Sequence, residues 1–296
     1  MRDFDFYQPR SLTEASAFLK ARNGQARILA GGTDLLVRIK KRQIPAPKFM
    51  VSLEKIPSLS ALVEEKGGLR IGPLVTLQEL ATSRIIQERF LVLAQAAAAM
   101  ASPPVRNLAT IGGNICNASP AADLAPPLLV LDAGMVCVSN GGERTVPVDS
   151  FFLGPGQSCL ASDEILASII VPGLPSFSGT VYLKLGFRRA MAIAALGVAA
   201  RVSLDVKTGK CAQARVALGA VAPTPFRALA AEERLLETFL EPNDIRDAAV
   251  AAARTCQPIS DHRASADYRR SMVEVLTRRA LHSALSFARA YEENKA

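Results

Sequence analysis

Two short segments carry residue types that can hold a phosphate. The first is Ala30-Gly31-Gly32-Thr33-Asp34-Leu35, and the second is Thr110-Ile111-Gly112-Gly113-Asn114. Each joins a glycine pair to a threonine and a short polar side chain. Glycine has no Cβ, so the backbone can take positive φ and approach an anion closely. Successive amides then form a concave set of donors, to which the threonine hydroxyls add. One such turn holds one phosphate weakly, whereas two turns far apart in the chain can clasp a diphosphate from both sides. The alternative for each glycine pair is a plain turn. Neither segment has the GxGxxG or GxxxxGK[ST] spacing, which disfavours a Rossmann nicotinamide site and a P-loop.

Other candidates are single residues. Asp123, in Ala-Ala-Asp-Leu-Ala-Pro-Pro, reads equally as an acceptor for a cofactor hydroxyl or ring N–H and as a helix cap. Lys184, in Tyr-Leu-Lys-Leu-Gly-Phe-Arg-Arg, can stabilise negative charge on a reduced cofactor. Locally, a snorkelling surface lysine is the simpler reading. Arg188 and Arg189 either share the first role or face solvent. The histidines, His262 and His282, lie near the C-terminus, so no base stands near the glycine turns for a Ser-His-Asp or Cys-His arrangement. Cys116 has no neighbour that would make it a thiolate and reads as a packing residue. The five cysteines, at 116, 137, 159, 211 and 256, form no CxxC pair. That spacing argues against a disulfide framework, a zinc site or an iron–sulfur cluster held by this chain alone.

The elements that must position these residues follow from pattern. Ser11 and Glu14 form a capping-box signature for a helix over 11–22. Ile28 and Leu29 read as a buried strand running into the first glycine turn, and Leu35, Leu36 and Ile39 return as a helix. Strand, glycine turn and helix is the order that presents amides to an anion. Strands are expected at 49–53, 135–138, 145–148, 165–171, 198–206 and 215–222, with a hairpin turn at Gly67-Gly68. Helices are expected at 77–83, at 85–100 before Pro103-Pro104, and at 228–238, 242–255 and 264–291. The run from Pro172 to Gly179 is rich in proline, glycine and serine and marks a domain boundary.

Composition excludes several classes. An apolar share of 49% with 21% charged residues is that of an ordered globular protein. No apolar run reaches the ~18 residues of a membrane span. The start Met-Arg-Asp-Phe-Asp-Phe places acids where a signal peptide has basic and then apolar residues, so a cytoplasmic location is expected. The net charge of +8 comes from scattered basic residues with few aromatics beside them. That suits an anionic cofactor or a partner subunit better than nucleic acid.

With these segments in view the chain resembles the FAD-binding (medium) subunit of the xanthine dehydrogenase and carbon monoxide dehydrogenase family of molybdenum hydroxylases. The resemblance covers nearly the whole chain. It rests on ILAGGTDLL, VRNLATIGGNICNASPAADLAPPLLVLDA, EILASIIVP, YLKLGFRRAMAIA and DHRASADYRRSMVEVLTRRAL. It implies an α+β fold: a p-cresol methylhydroxylase-type FAD-binding domain over 1–175, in subdomains of about 1–56 and 57–175. A C-terminal sheet-plus-helical-bundle domain of carbon monoxide dehydrogenase flavoprotein type would follow over 180–290. FAD would be bound non-covalently. By motif match, Ile28, Leu29, Ala30, Gly31, Gly32, Thr33, Asp34 and Leu35 would wrap its diphosphate and ribose. Thr110, Ile111, Gly112, Gly113 and Asn114 would form the second clasp, and Asp123 would hold the adenosine or ribityl side. Leu166 would pack near the isoalloxazine and Lys184 would lie near the flavin's polar edge, with Met100 and Asn117 as further matches.

The resemblance also implies a relay. A large subunit with a molybdenum cofactor and a small subunit with [2Fe–2S] clusters would pass electrons through the flavin to NAD+, a quinone or dioxygen, in a dimer of heterotrimers. The family often has an acid where this chain has Ala192, which bears on the flavin environment. The cysteine-rich insertion of the benzoyl-CoA reductase branch is absent. The alternative is a self-sufficient FAD-dependent oxidase or dehydrogenase.

Overall fold

The computed structural model describes residues 4–293 except 66, 189 and 190. Short apolar runs separated by turn residues become three main sheets that follow one another along the chain. The first contains β1 (Asp5–Tyr7), β2 (Ala26–Leu29) and β3 (Phe49–Ser52), with α1 (Leu12–Ala21) and α2 (Leu35–Lys40) as the connections. Its strands are parallel with β3 in the centre, as helical crossovers require. The capping box expected for α1 is half formed. The Ser11 hydroxyl accepts the Glu14 amide at 3.1 Å, but the Glu14 carboxylate accepts from the Tyr7 hydroxyl at 2.5 Å and the Arg10 amide at 2.8 Å instead.

The second sheet begins with β4 (Leu62–Glu65) and β5 (Gly68–Ile71). Six helices follow: α3 (Leu77–Thr82), α4 (Arg84–Arg89), α5 (Leu91–Ala98), α6 (Pro103–Arg106), α7 (Ile111–Cys116) and α8 (Ala125–Val130). Then come β6 (Gly134–Ser139), β7 (Gly142–Pro147), the small pair β8 (Phe152–Gly154) and β9 (Gln157–Ser158), and β10 (Ile165–Val171). The order is β4-β5-β10-β6-β7, antiparallel throughout. The single helix expected over 85–100 divides at Phe90, whose φ of −134° and ψ of 47° leave the helical region. A run that is apolar on most sides has no single face to bury. The chain turns at Phe90, and the ring there is fully enclosed.

The third sheet contains β11 (Ser178–Leu185), β12 (Leu196–Leu204), β13 (Cys211–Gly219) and β14 (Phe226–Arg227). It is followed by α9 (Leu229–Leu235), α10 (Pro242–Thr255) and α11 (Ala266–Glu293). Period two assigns its faces. Tyr182, Ala199 and Ala217, aligned across the strands, join the core of the second sheet's helices. Val181, Val198, Ala200 and Val216 join α10 and α11 on the other side. A strand buried on both faces reads as a continuous apolar run. β11 was not anticipated, because its start lies in the proline- and glycine-rich boundary. No helix among the described residues is long and apolar enough to cross a membrane.

Asp132 fastens this sheet to the turn after α8. It takes positive φ and its carboxylate accepts from Arg201 at 2.7 Å, Arg215 at 3.0 Å and Arg227 at 3.3 Å. Burial alone would raise its pKa, but Arg215 and Arg201 hold the carboxyl below the usual range. A depressed folded-state pKa contributes stability above the unfolded value of about 3.9 that is lost as pH falls through the folded value. Arg201 is buried, so Asp132→Ala leaves a charge without its partner. The expected cost is roughly 3 kcal/mol at neutral pH, with a shallower acid-side loss than wild type. Urea melts across a pH series check both; a wild-type midpoint at neutral pH would refute the role.

Candidate functional site

The first glycine segment is the connection from β2 to its crossover helix α2. Gly32 takes φ +70°, a left-handed turn that L side chains rarely adopt. The Leu36 amide closes onto the Gly32 carbonyl at 3.0 Å. Among the described residues, the amides of Gly31, Gly32, Thr33 and Asp34 donate to no protein acceptor. Asp34 precedes α2 without capping it. Burial raises its carboxyl above the ordinary range, and Arg38 opposes that rise.

The fold brings the two glycine segments together. A Cβ on Gly31 would fall 1.8 Å from the Leu108 carbonyl oxygen, and one on Gly113 would meet the Ala30 methyl at 4.0 Å. Arg38 adds a polar tie, donating to Asn117 Oδ1 at 3.2 Å and so linking α2 to the end of α7. Arg38 was not singled out in the sequence. Its position one turn into the helix after the glycines was the available signal.

The second segment differs from expectation. Gly112 and Gly113 form no turn; they lie in α7, which Thr110 caps by accepting the Gly113 amide at 3.0 Å. The Ile111 amide goes to Val75 O at 3.0 Å, Gly112 to Pro73 O at 2.8 Å and Asn114 to Thr110 O at 3.0 Å. These amides are spent inside the protein, so the segment is no second nest of donors. The glycines serve proximity instead: a Cβ on Gly112 would sit 2.4 Å from that of Pro73. What remains for a ligand is side-chain chemistry. Asn114 Oδ1 is buried without a hydrogen-bond partner, and such a group calls for a donor from outside the chain.

Asp123 and Lys184 meet. The Lys184 ammonium donates to Asp123 Oδ2 at 2.8 Å and to Ala99 O at 3.2 Å, and the Tyr182 hydroxyl donates to Asp123 Oδ1 at 2.6 Å. The Lys184 and Asp123 side chains are only 10% and 8% exposed, which removes the surface-lysine reading. The helix-cap reading of Asp123 also falls, because its carboxylate faces β11 and not the start of α8. Burial raises the Asp123 pKa, while the Lys184 charge and the hydrogen bonds from Lys184 and Tyr182 oppose the rise. Tyr182 escaped the sequence reading, although it stands two residues before Lys184, the spacing that puts both on one face of a strand.

The remaining candidates are more dispersed. The Leu166 side chain is buried in the core of β10, beside the irregularity between Leu166 and Ser168, which leaves the main chain there for any ligand contact. Arg188 is exposed and donates to the Met191 carbonyl at 3.3 Å; Arg189 lies outside the described residues. Burial pushes the Cys116 thiol up to about 12, as suits a packing residue.

A parallel βαβ unit joined to an antiparallel sheet, with unspent amides where they meet, belongs to neither the Rossmann nor the P-loop class. Residues 2–174 match the FAD binding domain in molybdopterin dehydrogenase, and residues 181–284 match the CO dehydrogenase flavoprotein C-terminal domain. The chain belongs to this molybdopterin dehydrogenase FAD-binding family. It is 35% identical to the putative xanthine dehydrogenase FAD-binding subunit of Escherichia coli K12, over 97% of this chain and 98% of that one. It is also 35% identical to the carbon monoxide dehydrogenase medium chain of Hydrogenophaga pseudoflava, over 95% and 96%. The structure superposes on the Hydrogenophaga pseudoflava carbon monoxide dehydrogenase that lacks the Mo-pyranopterin moiety with a TM-score of 0.92, covering 96% of this chain and 98% of that chain.

Gly31→Ala tests the close approach. The added methyl cannot coexist with the Leu108 carbonyl, so the two segments must separate. FAD affinity should fall by about tenfold or more, ~1.4 kcal/mol, with the α10–α11 helices unaffected. Fluorescence titration with FAD and amide exchange report the two effects, and unchanged affinity would count against the contact.

Proposed function

We propose that this chain is the flavin-carrying relay of a molybdenum hydroxylase. The observation that carries the proposal is the pairing of four unspent amides at Gly31–Asp34 with the unpartnered Asn114 Oδ1, on segments that Gly31 packs together. These groups fit FAD. Amides suit its diphosphate, and a lone side-chain carbonyl suits a hydroxyl or ring N–H.

In this reading Ile28, Leu29, Ala30, Gly31, Gly32, Thr33, Asp34 and Leu35 wrap the diphosphate and the adjoining ribose. Thr110 and Asn114 contribute side chains from the opposite side, with Ile111, Gly112 and Gly113 setting the backbone that carries them. Asp123 and Lys184 act as one unit at the ribityl and flavin end, and the Leu166 main chain borders the ring system. When bound, FAD supplies interconversion of one- and two-electron transfer. This chain binds it, orients it and sets its electrostatic surroundings. Lys184, paired with Asp123, places its ammonium where negative charge on a reduced ring would develop.

The proposal extends to organisation. The FAD-binding unit would occupy 1–175, in halves of about 1–56 and 57–175, with a second unit over 180–290. The partners would be an iron–sulfur small subunit with [2Fe–2S] clusters and a large subunit with a molybdenum cofactor, in a cytoplasmic dimer of heterotrimers. Electrons would leave for NAD+, a quinone or dioxygen. The family matches over 2–174 and 181–284 support the division into two units, and the relatives named as a FAD-binding subunit and a medium chain support a place among other subunits.

The full chain should purify with FAD that acid releases intact, and should oxidise no organic substrate unless the partner subunits are added. Turnover by the chain alone would favour the self-sufficient oxidase. Asp123→Asn should weaken FAD binding about tenfold, because the Lys184 charge loses its partner and the cofactor an acceptor. Lys184→Met should weaken it comparably and make the bound flavin harder to reduce. Titration with FAD and reductive titration of the loaded chain measure these, and wild-type values in both variants would overturn the assignment.

A further inference from the structure

Tyr182 has the geometry of a part built for Asp123. It is buried at 5% exposure, and its hydroxyl spans from the third sheet to the loop before α8, reaching Asp123 Oδ1 at 2.6 Å. Its own amide donates to Gln95 Oε1 at 2.8 Å, which fixes this point of β11 against α5. The path of the phenol is kept open by a missing side chain: a Cβ on Gly197, in β12, would lie 2.7 Å from the Tyr182 hydroxyl oxygen. Gly197 pairs directly with Lys184, so one face of two strands holds the lysine, the tyrosine and the gap between them.

We propose that Tyr182 is a positioning residue for FAD, holding the Asp123 carboxylate so that one oxygen stays with the phenol and the other with Lys184. The proposal rests on the assignment of Asp123 to the FAD site. A lysine alone fixes a carboxylate poorly, because its ammonium is a point charge on a flexible stem. A phenol on a rigid ring is a directional donor, and its bond to a carboxylate is of the strong, charge-assisted kind. Burial, reinforced by the charge of Asp123, pushes the Tyr182 hydroxyl well above its ordinary range, so it remains a donor. Lys184 and Tyr182, both from β11, are the titratable groups in electrostatic contact with Asp123 among the described residues. Both oppose the rise that burial imposes. Removing the hydroxyl therefore lets Asp123 take up a proton at higher pH.

The test uses the full chain, stripped of FAD and titrated with FAD by fluorescence across a pH series. Tyr182→Phe should weaken binding by about tenfold, the worth of one charge-assisted hydrogen bond. The acid limb of its affinity profile should lie at higher pH than in wild type. In an Asp123→Asn background the same substitution should change affinity less than about twofold, because contacts that act through one partner are non-additive. Gly197→Ala, which displaces the phenol without removing its hydroxyl, should reproduce the loss. A Tyr182→Phe chain with wild-type affinity and pH profile would overturn the proposal. So would losses in Tyr182→Phe and Asp123→Asn that simply multiply. Wild-type affinity in Asp123→Asn alone would instead sink the underlying assignment of Asp123 to FAD.

Discussion

The contact of the Gly31 backbone with the Leu108 carbonyl is the constraint on which the site depends. The parallel first sheet and the antiparallel second sheet have distinct main cores that meet where α1 packs on β6 and β10 and where Ile165 joins the first core, and Gly31 adds the close approach at the site itself. With any side chain at 31 the two could not close to this distance. Closing sets four free amides beside the helix that carries Asn114. The loop is half-buried to exposed rather than enclosed, so its donors are within reach of an incoming anion.

Charge is arranged with the same economy. The third sheet contributes Lys184 to a carboxylate on the preceding unit, and Arg201 and Arg215 to another, Asp132. Both acids lie on segments flanking α8, a helix whose six residues are all buried. The two ion pairs differ in consequence. At Asp132 several guanidiniums outweigh burial and the carboxyl is held low. At Asp123 burial outweighs one ammonium and one phenol, and the carboxyl is held high. The first is a fastening; the second is a buried carboxylate shared between an ammonium and a phenol of β11.

How much of this was legible in the sequence depended on whether local pattern or distant packing decided the outcome. β10 and α10 occupy the residues expected, because a short apolar strand and a helix opened by Pro242 each announce their own limits. The strand–glycine–helix order around Gly31 was equally plain. The second glycine pair was misread as a turn because glycine disfavours helix interiors. Pro73, far upstream, overrides that preference by packing where a side chain would be. Phe90 broke an apparent helix for a tertiary reason no local window contains. Asp123 and Lys184 could be suspected singly, but their union across sixty-one positions, and the part of Tyr182 in it, required the sheet to be seen. The free carbonyl of Asn114 likewise emerges only after every nearby donor has been assigned.

The third sheet lies between two layers, with α8 and α5 on one face and α11 on the other. A ribosome makes these layers in an awkward order. α8 is complete by Val130, while the strands that cover it end only at Gly219. At ordinary translation speeds the nascent chain waits on the order of ten seconds with that apolar surface uncovered. The two family segments are thus bound to one synthesis: split into separate genes, the first would leave the ribosome with a greasy flank and depend on chaperones until the second arrived.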